Sequence, residues 1–238
     1  MKIGVVQAKA IKGDIAANIN NHKKLIEQAV SGGAGMIIFP ELSITGYEPT
    51  LAKALATDQD DSRFDDFQQM SDEQQVTIGV GMPIKNNEAP IIGMVIFQPG
   101  KLRQTYFKKY IHADEEPFFL GGQDSINIVG DDNNIGLAIC YELSVPQHSA
   151  DACKNGAQIY IASVAKTPTG VEKAITTLTV IAKNYGMTVL LSNCVGPTED
   201  YLGGGRSSVW NNKGELLAQL NDSDEGILIV DTDTHEII

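Results

Sequence analysis

The sequence predicts an α/β fold in which two layers of β-sheet are covered by helices. Short apolar runs of strand length alternate with segments whose apolar residues recur at helical spacing. The element order β-α-β-α-β-β-β looks twofold along the chain, which suits two sheets with helices packed on them. Apolar residues make up 42% and charged residues 20% of the 238 residues, which is enough for one large domain over residues 1–238.

The first part of the chain contains five predicted strands and two predicted helices. The first strand alternates around Ile3 and Val5, and the first helix is ended by Gly32-Gly33. A proline stops the second strand, and the turn Gln98-Pro99-Gly100-Lys101 separates the fourth strand from the fifth. The predicted strands are 2–8, 36–41, 76–82, 91–97 and 102–110, and the predicted helices are about 18–31 and 61–75.

The second part repeats the alternation and ends in strands. Pro146 suits the first position of a helix, and Gly186 suits the residue that closes one. A turn at Asn211-Asn212-Lys213-Gly214 predicts a hairpin near the end. The predicted strands are 126–129, 135–139, 157–163, 187–193, 207–210, 216–220 and 226–230, and the predicted helices are about 146–155 and 170–185.

Charge and composition exclude several classes of partner. The net charge of -12 leaves no surplus of lysine and arginine to release counterions from nucleic acid, and it repels anionic membrane surfaces. No apolar run reaches membrane-spanning length, and the first residues do not resemble a signal peptide. Cys140, Cys153 and Cys194 form no CxxC pair, so neither a disulfide framework nor a zinc site is indicated. We therefore expect a cytoplasmic protein that binds neither nucleic acid nor membrane.

The stretch around Cys140 carries the first functional signal. The apolar run 135–139 ends in this cysteine, and Val145-Pro146 then suits the start of a helix. Cys140 is therefore expected in a tight strand-to-helix turn, where α/β sheets place their chemistry and a helix N-terminus favours the thiolate. The alternative is that Cys140 is a small buried apolar residue, as free cysteines usually are.

Two charged residues occupy comparable settings, although each alone has an ordinary explanation. Glu41 follows a strand, where a glutamate is commonly solvated. Lys108 stands beside Lys109, and such a pair usually marks a solvent-facing strand edge. Together, Phe39-Pro40-Glu41, Tyr106-Phe107-Lys108 and Ile139-Cys140-Tyr141-Glu142 resemble, in that order, the motifs of the nitrilase superfamily of carbon–nitrogen hydrolases.

The resemblance covers nearly the whole chain, from Gln7 to Gly205-Arg206-Ser207 and Asn211-Asn212-Lys213-Gly214. It implies an α-β-β-α sandwich of two mixed sheets flanked by helices, and a homodimer. It also implies a thiol hydrolase that cleaves the non-peptide C–N bond of a small linear amide or carbamoyl compound through a cysteine thioester. No metal and no cofactor are implied.

The resemblance also implies a role for each site residue. Glu41 is the general base, Lys108 the oxyanion stabiliser and Cys140 the nucleophile. Glu115, rather than Glu116, matches the family's second glutamate. The chemistry needs these types, because a thiol is only slightly ionised at neutral pH and a carboxylate deprotonates it efficiently only if burial raises the carboxylate pKa.

Substrate contacts are expected from loops 43–60, 111–125, 164–170 and 194–206. The backbone N–H of Tyr141 is expected to join the lysine in binding the oxyanion. The cations of the last two loops, Lys166 and Arg206, are candidates for contact with an anionic substrate group. The predicted substrate-binding residues are Tyr47, Glu142, Lys166 and Arg206.

Three alternatives stay open. The first is a nitrile hydrolase of the same family. The second is a Cys-His hydrolase with His112 or His148 as base, and the third is a catalytically silent interaction protein. Neither histidine has an evident orienting partner, and His148 is expected to point from its helix to solvent. Cys153 and Cys194 are expected to be buried packing residues.

Overall fold

The computed structural model of the chain describes residues 1–123 and 135–238. Two mixed sheets are flanked by helices, which confirms the predicted fold class. The strand predicted over 126–129 lies outside the described residues.

The described residues form strands and helices that follow the predicted order. The strands are β1 (Lys2–Gln7), β2 (Met36–Ile38), β3 (Thr77–Ile84), β4 (Ile91–Phe97), β5 (Gln104–Phe107), β6 (Ile135–Ile139), β7 (Ile159–Val164), β8 (Thr188–Asn193), β9 (Val195–Pro197), β10 (Leu202–Gly204), β11 (Ser208–Trp210), β12 (Leu216–Gln219) and β13 (Gly226–Asp231). The helices are α1 (Ile15–Ser31), α2 (Ala52–Leu55), α3 (Asp65–Gln74), α4 (Pro146–Lys154) and α5 (Pro168–Tyr185).

The two large sheets are built on the same plan. The first has the strand order β13-β1-β2-β3-β4-β5 and the second has the order β12-β11-β8-β7-β6. In each sheet three successive strands run parallel and two more follow antiparallel. The last strand then crosses back and pairs antiparallel with the first. This plan explains the twofold appearance of the sequence pattern.

Three apolar clusters separate the layers. The central cluster joins the inner faces of both sheets, with Val5 from the first sheet and Ile161 from the second. The second cluster packs α1 and α3 on the first sheet, and the third packs α4 and α5 on the second. No helix in the described parts of the chain is long and apolar enough to span a bilayer.

Element boundaries differ from the sequence prediction where capping or short length decides them. Helix α1 begins three residues before the predicted start, because the Asp14 side chain caps it by accepting from Ala17 N–H at 3.0 Å. Gly186 closes α5 with a left-handed φ of 65°, as expected. The segments expected to be loops at 43–60 and 194–206 contain α2 and the β9–β10 hairpin, which are too short to produce a periodic pattern.

Candidate active site

Glu41 lies in a tight turn that follows β2. Pro40 comes after the strand, and Leu42 adopts a left-handed φ of 52°, so the chain turns directly at the glutamate. The turn rests on β3 at Gly81, where an added Cβ atom would lie 2.3 Å from the Leu42 backbone nitrogen. Only glycine at position 81 permits this approach. The Glu41 side chain is fully buried.

A buried histidine and serine support this turn and were missed at the sequence level. The Ser43 hydroxyl accepts from Gly81 N–H at 3.2 Å and lies 2.9 Å from His22 Nε2. The His22 ring stacks on Phe39, and burial lowers its pKa to about 4, so it is neutral near pH 7. The sequence feature that could have identified this histidine is a polar residue on the buried face of the first predicted helix.

Lys108 follows β5 and is buried, whereas Lys109 is exposed. Backbone bonds hold Lys108 on both sides, because its N–H donates to Ile92 C=O at 2.9 Å and its C=O accepts from Gly122 N–H at 2.7 Å. The ammonium group donates to Glu41 Oε1 at 2.7 Å. These bonds place a fixed positive charge inside the protein.

Glu115 is the second carboxylate on this ammonium group. Its oxygens accept from Lys108 Nζ at 2.6 and 2.8 Å, and also from Tyr47 O–H at 3.0 Å and His112 N–H at 2.8 Å. Glu115 is buried and Glu116 is exposed. The structure therefore brings Glu115, and not its neighbour, to the lysine.

Cys140 occupies the expected strand-to-helix turn. It directly follows β6, has a left-handed φ of 45° and begins a 3₁₀ turn, Cys140–Ser144, which leads to Pro146 at the start of α4. Such a φ is rare for a residue other than glycine and is often found at functional positions. Tyr141 is the second residue of the turn, where N–H groups have no partner inside the turn.

The peptide groups of Ala165 connect Glu41 to Cys140. The Ala165 N–H donates to Glu41 Oε2 at 3.2 Å, and its C=O lies 3.9 Å from the Cys140 sulfur as acceptor. The same carbonyl accepts from Tyr201 O–H at 2.9 Å. The Cys140 thiol is also close enough to Glu41 to lower the pKa of its carboxyl group, against the effect of burial. Glu41, Lys108, Glu115 and Cys140 thus form one cluster.

Burial dominates the titration of this cluster. It raises the pKa of the Cys140 thiol to about 11, and Glu41 adds to this effect while Lys166 and Lys108 oppose it. The expectation that the turn favours a thiolate is therefore wrong for the resting site. Burial also raises the pKa of Glu41, against the effect of Lys108. Burial opposes the charge of Lys108, but Glu41, Cys140 and Glu115 outweigh it and raise the lysine pKa.

The Cys140 sulfur borders a pocket of about 370 Å³. All four loops expected to form the pocket contribute to its wall. In the described residues no group of three or more histidine, cysteine, aspartate or glutamate side chains is arranged to hold a metal ion. The aromatic residues of the wall are Tyr47, Phe118, Tyr141 and Tyr201, and its charged or titratable residues include His112, Asp114, Lys166 and Asp200.

The pocket includes two of the four predicted substrate-binding residues. Tyr47 and Lys166 line it. Glu142 does not line it, because its carboxylate is fully buried and bonded to Lys109 N–H at 2.7 Å and Ile139 N–H at 2.8 Å. The structure thus contradicts a substrate contact for Glu142.

Arg206 also lies outside the pocket wall. Its Nε donates to Gln219 Oε1 at 3.2 Å, and its guanidinium lies 3.7 Å from a Glu172 oxygen. Of the two predicted cations, Lys166 lines the pocket and Arg206 does not.

The structure corrects the interpretation of both candidate histidines. His112 lines the pocket and has a partner, since its Nδ1 lies 2.5 Å from Asp114 Oδ1. His148 is buried rather than solvent-facing, with ring nitrogens 3.0 Å from Tyr106 O–H and 2.8 Å from Tyr160 O–H.

The other cysteines are partly exposed rather than buried. Cys153 packs at the edge of the cluster beneath α4 and α5, and Cys194 lies in the β8–β9 connection. Burial of the sulfur raises the pKa of Cys194 to about 12.

A buried glutamate–lysine cluster beside a cysteine lies at the strand ends of this two-sheet fold. Residues 2–238 match the carbon–nitrogen hydrolase family, and the chain belongs to that family.

Solved structures of the same fold include an amidase from Nesterenkonia sp. AN1. It has a TM-score of 0.87 and 22% identity over 97% of this chain and 92% of that chain. One structure of that amidase contains butyramide. At this identity the likeness shows the fold alone.

Curated relatives include longer proteins. The glutamine-dependent NAD(+) synthetases of Thermotoga maritima and Aquifex aeolicus are 23% and 25% identical over 99% of this chain, but over only 42% and 43% of their own length. The chain thus spans less than half the length of these relatives. Nitrilase 3 of Arabidopsis thaliana is 21% identical over 100% of this chain and 80% of that protein.

Proposed function

We propose that the protein hydrolyses a small amide through a thioester on Cys140. The observation that carries the proposal is the buried Lys108 ammonium, held 2.7 Å from Glu41 and 2.6 Å from Glu115 next to the thiol. A fixed positive charge with a carboxylate base beside a nucleophile is what acyl transfer needs. The amidase neighbours support amide over nitrile as the substrate.

In the first half of the reaction, Glu41 removes the thiol proton as the sulfur attacks the amide carbon. The raised pKa of Cys140 means that the resting group is a thiol, so the base is required. The tetrahedral oxyanion is stabilised by Lys108 and the Tyr141 N–H. Protonated Glu41 then donates its proton to the leaving nitrogen, which departs as ammonia or an amine and leaves the thioester.

In the second half, water replaces the amine. Glu41 takes a proton from the water as its oxygen attacks the thioester carbon, and the same oxyanion site stabilises the second tetrahedral intermediate. The C–S bond breaks, the sulfur regains the proton from Glu41, and a carboxylic acid leaves. Glu115 keeps Lys108 in place through two hydrogen bonds.

Lys166 suggests which amides fit. It lines the pocket, and its charge acts on the Cys140 thiol more strongly than that of Lys108. Asp114 and Asp200 lie on the exposed part of the wall. We propose a short ω-amide whose acyl part ends in a carboxylate. The glutamine dependence named for several relatives supports this class, because glutamine is such an amide.

The proposed function is tested by measuring ammonia release from small amides, ureido acids and nitriles. Wild type is compared with Cys140→Ala. Turnover that disappears in the variant, with a mass increase on Cys140 equal to the acyl group, is expected for an amide. Equal turnover by both proteins would refute the cysteine mechanism, and turnover of nitriles alone would favour the nitrile hydrolase.

His112 gives a specific alternative for the base, because it lines the pocket and pairs with Asp114. We expect Glu41→Gln to abolish turnover and His112→Ala to reduce it by less than about tenfold. The reverse result would establish the Cys-His arrangement. The homodimer also stays a proposal, which the mass measured by light scattering would test.

A further inference from the structure

Glu142 is a buried carboxylate that the proposed chemistry does not use. It stands two residues after Cys140, it is fully inaccessible to solvent, and it does not line the pocket. A buried carboxylate is costly unless hydrogen bonds satisfy its oxygens. The partners of these oxygens indicate its role.

Each oxygen of Glu142 bonds to a residue next to a catalytic one. Oε1 accepts from the N–H of Lys109 at 2.7 Å, and Lys109 follows Lys108. Oε2 accepts from the N–H of Ile139 at 2.8 Å, and Ile139 precedes Cys140. One carboxylate therefore ties together the two backbone segments that carry the ammonium and the thiol.

The sheet topology makes this tie important. Among the strands of the described residues, β5 is at the edge of the first sheet and β6 is at the edge of the second. The two segments consequently belong to different sheets, and the ladder of either sheet does not fix the distance between them. Hydrogen bonds from a single side chain can set that distance.

Three further side chains hold the carboxylate itself. Tyr106 O–H donates to Glu142 Oε2 at 2.7 Å, and its oxygen lies 3.0 Å from His148 Nε2. Because the tyrosine proton goes to the carboxylate, Nε2–H donates to the tyrosine oxygen. His148 Nδ1 then accepts from Tyr160 O–H at 2.8 Å. Every member of this network is buried, so the position of the carboxylate is fixed.

We infer that Glu142 is a positioning residue, whose carboxylate fixes the Lys108 ammonium relative to the Cys140 thiol by binding the backbone beside each. The inference rests on the proposed roles of Lys108 and Cys140. Displacement of a reacting group by about 1 Å is enough to cost about 10²-fold in rate. Glu142 touches neither substrate nor the reacting atoms.

The substitution Glu142→Gln tests this role closely. Glutamine has the same shape, but its amide group has one acceptor oxygen and one NH₂ donor. The NH₂ group must face the N–H of either Lys109 or Ile139, so one of the two ties is lost. Phe64→Leu, in the apolar layer on the other side of the first sheet, is the control for lost stability alone.

We expect Glu142→Gln to lower kcat by about 10–10²-fold while KM changes by less than about threefold. Alkylation of Cys140 by iodoacetamide, mapped by mass spectrometry, should slow at least about fivefold, because Lys108 no longer lowers the thiol pKa as effectively. Cys153 in the same sample should react unchanged. Phe64→Leu should lower the unfolding midpoint without changing kcat or alkylation.

An unchanged kcat and alkylation rate in folded Glu142→Gln would overturn the inference. Faster alkylation would also overturn it, since the lost negative charge would then act directly on the thiol. If Glu142→Gln does not fold, Glu142→Asp replaces it in the test, because the shorter carboxylate cannot reach both N–H groups. The same kcat and alkylation results then support or overturn the inference. Alkylation needs no turnover, so a failure of the proposed amidase function is distinguishable from a failure of this inference.

Discussion

Replacement of Lys108 by methionine is the strongest test of the cluster. Methionine is unbranched and similar in length, so it keeps the packing but removes the charge and all three bonds from Nζ to Glu41 and Glu115. Glu115 retains bonds from Tyr47 and His112, whereas Glu41 retains a 3.2 Å bond from the Ala165 N–H. Glu41 is therefore left with fewer hydrogen-bond partners than Glu115.

The size of the effect follows from these contacts. Removal of one partner of a buried ion pair costs about 3–5 kcal/mol of unfolding free energy. Loss of one oxyanion donor lowers kcat by about 10²–10³-fold. Because Lys108 lowers the pKa of Glu41, its removal raises that pKa further and leaves less ionised base near pH 7. Activity should thus fall, and its acid limb should move to higher pH.

The assay is kcat as a function of pH, together with urea unfolding. Lys109→Met is the matched control, because this neighbouring lysine is exposed and should keep kcat within about twofold. Retention of more than about a tenth of kcat by Lys108→Met would refute the oxyanion role. An acid limb that moved to lower pH would refute the coupling to Glu41.

Four further predictions follow from the site. Gly81→Ala should displace the turn of Glu41 and abolish turnover, whereas Gly35→Ala, which meets its nearest atom at 3.7 Å, should be tolerated; circular dichroism and kcat distinguish them. His22, whose pKa falls to about 4 in the folded protein, should contribute stability at pH 7 that decreases as pH falls from about 6.5 to 4, by about 3 kcal/mol in all. Urea unfolding of His22→Gln against wild type at pH 7 and 4.5 checks this, and a pH-independent difference would contradict it. Lys166→Met should remove a preference of at least about tenfold in kcat/KM for glutaramate over butyramide, and an unchanged ratio would exclude an anion contact. The acid limb of kcat/KM in the wild type should lie above pH 4.5, because burial raises the pKa of Glu41, and a midpoint at or below 4.5 would contradict this cause.

The strand pattern predicted the two sheet layers. The order of the motifs predicted the four residues that the structure brings together in one cluster. Periodicity identifies buried faces: Glu41 ends the predicted strand 36–41, Cys140 follows the predicted strand 135–139, and Lys108 lies within the predicted strand 102–110. The strand pattern alone does not show that Lys108 is buried and Lys109 exposed, because the two neighbours are residues of the same type. Only the hydrogen bonds at the strand end distinguish them.

The errors have a common physical cause. Glu142 and His148 are interpreted from their neighbours in sequence, but their tyrosine partners are distant along the chain. Tyr106 on β5 is 36 residues from Glu142, and Tyr160 on β7 is 12 residues from His148. Arg206 was judged by charge alone, yet its guanidinium lies beside Gln219 and Glu172. The thiol pKa was judged from the turn, and the burial that decides it comes from the whole fold.

The peptide groups of Ala165 have a consequence for altering the substrate range. Its N–H and C=O meet Glu41 and Cys140, and any residue except proline supplies the same two groups. Ala165 is also a residue of the pocket wall. Position 165 can therefore be varied to reshape the pocket while the backbone contacts to Glu41 and Cys140 are retained, which makes it the natural first site for a library selected on new amides.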